Sequence, residues 1–552
     1  MPNPAPARRI LQQFCLLLLL VLCSRATLAG SNPIPETGGR VVLVLPFDNR
    51  SGQTNLAWVG DSFPDTLDQR LTSAGFLTIS RDDRQYALDH LGLPVDFRPS
   101  RATTIRIAQL LDADFVIVGS YTVANGRIAV QAQVLEVDKL RLSAPLTDSS
   151  ELTRLFDVEN AIAWKVARQI DPHFNVAEQT FLASSGGVQL SAFEDYIRGT
   201  GATTPQEQIK RLQMAVLSTP NYSAALLALG KAQYTEREYD QAAVTLAKIP
   251  PSDRRALEAG FYLGLARFNN AKYAEAESAF AFVASRLPLP EVVNNQGVAS
   301  SRQGHDAAPL FQRASAADPN DPDYHYNVAV SLLRRGDFAG AQREVDLTLK
   351  LRPTDTEAAS LKSSITAGKT ITTAAKPAKP ATPSPASNQA ETQSFDPLER
   401  IRKTYSEASF RQAAFQLDQM RAMRMATLPP AEQAEQYTQL GQGYLAQGLI
   451  PEAEQEFQAA IAANSSNAAA HTGLAQVRER SGGTEDARRE AAASLQLHPN
   501  VTAYLVLARI ELQANHLPES ATEVSKALQL EPGNTAAQGM RQALQARGQS
   551  LP

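Results

Sequence analysis

From Arg40 to about residue 175 the chain alternates short apolar runs with stretches whose apolar residues recur at helical spacing. Val41-Val42-Leu43-Val44-Leu45 is a continuous run rich in β-branched residues and closed by Pro46, the pattern of a strand buried on both faces. Ser62 to Leu71 has helical spacing, Gly75 precedes a second short strand at Phe76 to Ile79, and a further helix is expected over Thr103 to Leu111. Phe115 to Gly119 reads as another buried strand. Tyr121-Thr122-Val123 and Ile128 to Leu135 then flank Asn125-Gly126, a dipeptide that tolerates the positive φ of a tight primed turn, so a hairpin is expected. In its second arm Ile128, Val130, Ala132 and Val134 form one apolar face. A closing helix runs from Leu155 to Ile170, and the whole order predicts a mixed unit with helices over a small sheet.

Beyond residue 190 the periodicity is helical throughout, and it repeats. Gly230 and Gly264 are 34 residues apart, Gly441 and Ala475 also 34, and Ala475 and Ala508 33. Ala341, Ala453 and Ala487 each stand twelve residues after Ala329, Gly441 and Ala475. Phe457 and Ala460 complete one unit, Phe311, Ala314 and Pro319 another, and Pro353, Pro499 and Pro532 close theirs. Two antiparallel helices approach closely where small residues face each other, a large residue fills the gap to the next pair, and proline stops the second helix. Carried most fully by Tyr437, Leu440-Gly441, Tyr444, Ala453, Phe457 and Ala460, this pattern resembles the tetratricopeptide repeat. Units are expected at 191–221, 222–255, 256–288, 289–320 and 321–354, then at 398–430, 433–466, 467–500 and 501–533. Nine is an upper count, because the 398–430 unit lacks the first-helix signature and Gln296-Gly297 has a shortened turn before Ala307. Thr356 to Ile365 and Thr535 to Ala546 read as amphipathic helices covering the last open face of each array.

Composition adds limits. The chain has 552 residues, 43% of them hydrophobic, with 53 Lys+Arg against 57 Asp+Glu, so several folded units are expected and no basic footprint for nucleic acid exists. Both cysteines, Cys15 and Cys23, lie in an N-terminal run laid out like an export signal: Arg8 and Arg9, the apolar stretch Phe14 to Leu22, then Thr27-Leu28-Ala29 before Gly30. The same run leaves open an uncleaved anchor, and Leu20-Val21-Leu22-Cys23 is an imperfect lipobox because Leu22 stands where a small residue belongs. Cleavage after Ala29 would leave a thiol-free chain of net charge −7, since Arg8, Arg9 and Arg25 are removed and no acid is. Lys369 to Gln393, with Lys376-Pro377-Ala378-Lys379-Pro380, holds no aromatic residue and reads as an extended tether, with a P-x-x-P ligand as the other reading.

A second resemblance rests on Val44-Leu45-Pro46-Phe47-Asp48-Asn49-Arg50-Ser51-Gly52, on Leu111 to Tyr121 and on Arg127 to Leu135. These segments look like the TolB-amino-terminal-like domain, which implies protein contacts instead of chemistry and a setting in the bacterial envelope. Phe47, Asp48, Asn49 and Arg50 are read as a polar loop at a strand's C-terminal end, where α/β folds place binding residues.

Chemistry is sparse. The seven histidines are scattered, with no two at metal-ligand spacing, and neither a phosphate-binding glycine loop nor a nucleophile elbow occurs. No enzyme, metal or cofactor is therefore expected. The repeat resemblance implies that first helices line a concave face, with exposed positions three before and one, four and five after each small residue. In the first array these include Leu227, Lys231, Tyr234, Phe261, Phe268, Tyr326 and Arg334; packing between repeats is the other reading for Phe261 and Phe268. In the second they include Thr438, Gln442, Thr472, Gln476, Glu479, Arg480, Leu505 and Arg509. The first set is aromatic and the second polar, which favours the first array as a peptide site. Lys231, Leu265 and Val330 stand where a terminal-carboxylate clamp would need asparagine, so recognition of a chain end is not expected.

The expected architecture is α+β and multi-domain. A signal peptide (1–29) precedes a TolB-like domain (40–175), a first superhelical array (190–366), a linker (367–396) and a second array with its terminal helix (397–548). The expected function is an exported, non-enzymatic scaffold in the periplasm or at the outer membrane, binding proteins or peptides. The other reading is an assembly or regulatory factor acting through the N-terminal domain, by oligomerisation or by activating a cell-wall enzyme.

Overall fold

A computed structural model describes residues 40–93, 100–183, 187–368, 396–404 and 419–552. The export segment and the proline-containing tether lie outside the described residues. A small N-terminal sheet region is followed by many helices in a repeat-type solenoid, the fold class expected.

The sheet comprises β1 (Val41–Val44), β2 (Asp48–Asn49), β3 (Leu77–Thr78), β4 (Phe115–Ala124), β5 (Arg127–Glu136), β6 (Arg141–Leu142) and β7 (Leu146–Glu151). Its order is β3-β1-β4-β5-β6, with β2 along β4 and β7 along β5. β1 is parallel to both neighbours, and β4 and β5 form an antiparallel hairpin from Phe115↔Glu136 to Ala124↔Arg127. The turn holds Asn125 at φ 52° and Gly126 at φ 75°, the primed geometry the dipeptide predicts. Where the sequence suggests two strands around Gly119-Ser120, β4 is continuous, because its whole length pairs with β5. The expected loop at 46–52 is also partly strand: Asp48 and Asn49 pair with Ser120 and Tyr121, and Phe47 turns inward to stack on Phe63 with ring centroids 4.1 Å apart.

Four helices cover the sheet: α1 (Ala57–Ser73) and α4 (Leu155–Ile170) on one face, α2 (Arg81–His90) and α3 (Arg101–Leu110) on the other. Val42 and Val44 point into the first layer, Leu43 and Leu45 into the second, so β1 is buried on both sides as its composition requires. Between α1 and α4 lies a fully buried carboxyl, Glu159. Thr66 Oγ1 donates to it at 2.7 Å, Ser62 hydroxyl also bonds to it, and burial pushes its pKa up to about 8.

The first layer does not stop at the sheet. Phe181 of α5 (Glu178–Ala183), and Phe193, Ile197 and Leu212 of α6 (Leu190–Thr200) and α7 (Pro205–Ser218), belong to the same buried cluster as Val44 and Ile162. Tyr196 donates its hydroxyl to Asp65 at 2.7 Å across the junction. The α/β unit and the first repeat therefore share one core.

Helix pairs then stack: α8 (Ser223–Thr235) with α9 (Tyr239–Leu246), α10 (Ala256–Asn269) with α11 (Tyr273–Ala284), α12 (Pro290–Ser301) with α13 (Ala308–Ala317), and α14 (Pro322–Arg334) with α15 (Phe338–Leu351), closed by α16 (Thr356–Thr366). The second array runs α17 (Pro430–Ala446), α18 (Ile450–Ala463), α19 (Ala468–Arg480), α20 (Thr484–Leu497), α21 (Val501–Gln513), α22 (Leu517–Leu530) and α23 (Thr535–Ala546). Each pair interlocks small against large. A Cβ on Gly264 would lie 2.6 Å from the Phe280 ring, one on Gly297 2.8 Å from Phe311, and the Phe457 ring is held between Gly441 and Gly473. The expected unit at 398–430 departs from this: residues 396–404 form neither helix nor strand, 405–418 lie outside the described residues, and helix resumes at 419–426.

The second array packs back on the N-terminal unit. Glu454 of α18, wholly buried, accepts from Ala177 N at 2.9 Å and from Thr180, and pairs with Arg478 at 2.8 Å. Gln455 donates to Ser73 O of α1 at 3.2 Å, and Glu452 pairs with Arg254 of the first array.

Glu159 has its ordinary pKa near 4.5 when unfolded and about 8 when folded, so the folded state holds the extra proton between those values. Stability of the α/β unit should be highest below that window and fall as pH rises through 8, by at most ~1.4 kcal/mol per pH unit. Because the chain's two tryptophans, Trp58 and Trp164, both lie in this unit, urea unfolding followed by tryptophan fluorescence reads it directly. Glu159→Gln should flatten the dependence between about pH 5 and 8. Separately, Gly473→Ala forces a Cβ to 2.2 Å from Phe457 and should cost ~1–3 kcal/mol, measured as a lower helix-unfolding midpoint by circular dichroism.

Candidate peptide-binding groove

Helices α12 and α14 line the inner face of the first array, and local sequence starts both. Pro290 and Pro322 occupy first-turn positions that lack a backbone partner anyway, and the Asp321 side chain caps α14 by accepting from Asp323 N at 2.9 Å. α16 begins the same way, with Asp355 accepting from Ala358 N at 3.0 Å. The inner face carries three fully buried asparagines, Asn294, Asn295 and Asn327.

These amides hold a second piece of the chain, residues 396–402. Asn327 Nδ2 donates to Arg400 O at 2.8 Å while Arg400 N donates to Asn327 Oδ1 at 2.7 Å. Asn295 does the same at Arg402, donating at 2.7 Å and accepting at 2.8 Å. Asn294 Nδ2 adds a 3.0 Å bond to Arg400 O and is linked through its Oδ1 to Asn327. The backbone groups of alternate residues are thus satisfied as a neighbouring strand would satisfy them, without a strand being present.

Side chains of the segment meet matched surroundings. Arg400 lies 3.8 Å over the Tyr326 ring and pairs with Asp323 at 2.9 Å, Asp355 at 2.7 Å and Glu357 at 2.9 Å. Burial pushes the Tyr326 hydroxyl up to about 12, so the ring stays neutral under the guanidinium, and hydrogen bonding from Arg400 holds the Asp355 carboxyl below its ordinary value. Arg402 sits over Tyr324 at 5.2 Å and pairs with Asp321, and with Asp323 at 3.2 Å. The Glu399 side chain, 0% exposed, meets Arg334, Ser301 and, at 3.9 Å, Arg302. Ile401 packs against the apolar clusters that contain Phe268, Val292 and Val298.

The expected groove residues divide accordingly. Tyr326 and Arg334 touch the segment, and Phe268 shares an apolar cluster with Ile401. Phe261, at 1% exposure, packs on Phe280 and Leu265 in the array's core, and Leu227 packs with Leu246 and Ile249; the turn of each helix places them inward. Tyr234 sits against Tyr239 and Tyr262, and Lys231 bridges Glu258 at 2.9 Å and Asp82 of the α/β unit at 3.6 Å. Asn294, Ser301 and Arg302 were missed, although they stand three before and four and five after Gly297. The acids were missed too, although Asp321 and Asp323 recur as Asp355 and Glu357 at a spacing of 34.

In the second array Gln442, Thr472, Gln476 and Arg480 do converge. With Leu445, Gly473, His498, Asn500 and Thr502 they line an open cavity of about 580 Å³. Arg509 is tied to Glu479, Nη2 to Oε2 2.6 Å. Near the sheet, Asn49 Nδ2 donates to Gln53 O and Arg50 N to Tyr121 O, so Asp48, Asn49 and Arg50 border β4 as a strand and its exit.

Family models for the tetratricopeptide repeat match residues 299–365, 438–483 and 472–535. These segments are tetratricopeptide repeats. No curated protein sequence matches the chain. Among solved structures the chain is similar to MamA from Desulfovibrio magneticus RS-1, at 16% identity and TM-score 0.29 over 31% of this chain and 99% of that one. It is also similar to YrrB, described as a tetratricopeptide repeat protein with an unusual peptide-binding site, at 14% and 0.28 over 36% and 98%. A third is the LpoB C-terminal domain from Salmonella enterica, at 21% and 0.19 over 24% and 93%. Tetratricopeptide repeats support a role in protein–protein interaction.

Asn327→Ala removes the bond that holds Arg400 N and one of the two that hold Arg400 O, about 1 kcal/mol each. Trypsin cleavage after Arg400 in the full chain should then accelerate at least tenfold, while cleavage at exposed sites elsewhere stays constant.

Proposed function

We propose that this protein is a non-enzymatic scaffold of the bacterial cell envelope that holds extended segments of partner proteins in the groove of its first tetratricopeptide array. The observation that carries the reading is the pairing of Asn327 and Asn295 with the backbone of Arg400 and Arg402. Amides that donate and accept at alternate residues grip polypeptide as such, and neighbouring pockets then select side chains. The polar cavity around Gln442, Gln476 and Arg480 offers a second, chemically different surface.

Placement in the envelope draws on the signal-like layout before Gly30 and on the resemblance of the α/β unit to the TolB-amino-terminal-like domain. Outer-membrane or cell-wall association belongs to the same reading. No helix among the described residues is long and apolar enough to cross a membrane.

The test is expression of the full-length chain in a bacterial host with a photo-crosslinking phenylalanine analogue in place of Phe268. The exported fraction should begin at Gly30, and adducts should map to one short stretch of a partner. A chain retained in the cytoplasm with its first 29 residues would refute the envelope location. Adducts confined to the chain's own residues 396–404 would refute the scaffold.

A further inference from the structure

Four successive residues of the bound segment each meet a different built pocket. The acid Glu399 is enclosed by Arg334 of α14 and by Arg302 just past α12, Arg400 by an aromatic face and three carboxylates, Ile401 by an apolar wall, and Arg402 by a second tyrosine and two acids. The acids recur because α14 and α16 each begin with an acidic cap and carry an acid two residues later, at 321 and 323 and again at 355 and 357. Caps that need only one carboxylate to start a helix thus present paired carboxylates to the groove. Buried charges of this kind select strongly, since a ligand lacking the arginine or the acid leaves Asp355 or Arg334 facing an empty position.

The segment itself builds nothing else. Residues 396–404 contribute to no helix or strand, they sit where a repeat unit would otherwise begin, and they follow the proline-containing run that joins the arrays. They contact α12, α14 and the start of α16, together with the inner apolar wall.

Resting on the groove reading above, we propose that the first array is selective for an extended acidic–Arg–aliphatic–Arg peptide, and that Glu399–Arg402 is a built-in occupant that a partner bearing this sequence displaces. Tethered in the same chain, the occupant competes at an effective concentration of order millimolar. A partner must therefore match all four pockets, or present the sequence at high local density, to gain entry. The tether makes the groove closed to weak or partial ligands.

The probe is a fluorescein-labelled synthetic peptide with the sequence of residues 396–404, added to the full chain and followed by anisotropy. Wild-type chain should bind it at least 100-fold more weakly than the triple variant Glu399→Ala, Arg400→Ala, Ile401→Ala, whose own segment no longer fits while the groove is untouched. Adding Asn327→Ala to that variant should remove binding, and a peptide with both arginines replaced by alanine should bind neither chain. A second measurement does not depend on the triple variant folding. In ¹⁵N-labelled wild-type chain, the amide hydrogens of Arg400 and Arg402 should exchange faster when excess unlabelled peptide is present. Equal affinity for wild type and variant together with unchanged exchange would overturn the proposal. So would equal binding of the arginine-free peptide, or light scattering that shows the segment exchanged into a second copy. Partner adducts at Phe268 combined with no binding of the peptide would leave the scaffold standing and reject this ligand class alone.

Discussion

Small-against-large packing between helices sets the pitch on which everything else in this molecule rests. With Gly264 pressed on Phe280, Gly297 on Phe311 and Phe457 held between Gly441 and Gly473, each helix pair can approach its neighbour at one distance and one rotation only. The repeat of 33 or 34 residues then places equivalent positions of successive inner helices in a line. Asn294 and Asn327 are 33 apart, Asp321 and Asp355 34 apart, and each pair acts on one segment because the stacking brings both members to it.

The same pitch explains why polar residues can be buried on an inner face at all. Asn294, Asn295 and Asn327 are wholly enclosed, which is affordable only when each amide finds a donor and an acceptor. Another inner helix cannot supply both, as its backbone is already paired. An extended chain can, every second residue, and the 396–402 segment supplies them at Arg400 and Arg402. The charged pockets follow the same logic, with Glu399 and Arg400 neutralised by groups from α14 and from the start of α16. The N-terminal unit is joined to this array by a common core, and the second array leans on both through Glu454 and Glu452. A ligand that pulled 396–402 out of the groove would therefore act on a chain whose remaining parts are held together by other contacts.

Much of the architecture was legible in the order of residues, because helices, tight turns and repeat pitch depend on neighbours close in sequence. Leu155–Ile170 and Thr535–Ala546 appear where periodicity places them, Asn125-Gly126 turns the hairpin, and the small and large positions of the repeats interlock as spaced. Tyr326 and Arg334 could be named in advance, since helical phase alone brings them to the inner face. Phase alone also put Leu227 and Phe261 there, and packing against the second helices drew both into the core.

What sequence could not decide was which groups meet across long separations. Nothing local distinguishes Glu399-Arg400-Ile401-Arg402 from the start of a degenerate repeat such as the one expected at 398–430. The segment's extended course depends on pockets assembled from residues 43 to 107 positions earlier, whose alternating backbone bonds outweigh a helix that would leave two arginines and a glutamate in water. Likewise Phe47, read as the head of a polar loop, turns inward because Phe63 and Gly119 leave a ring-sized space beside it. Local order therefore determined the elements and their pitch. Only the tertiary structure determined the occupant of the groove, because the free energy of that contact comes from charges and amides brought together by stacking.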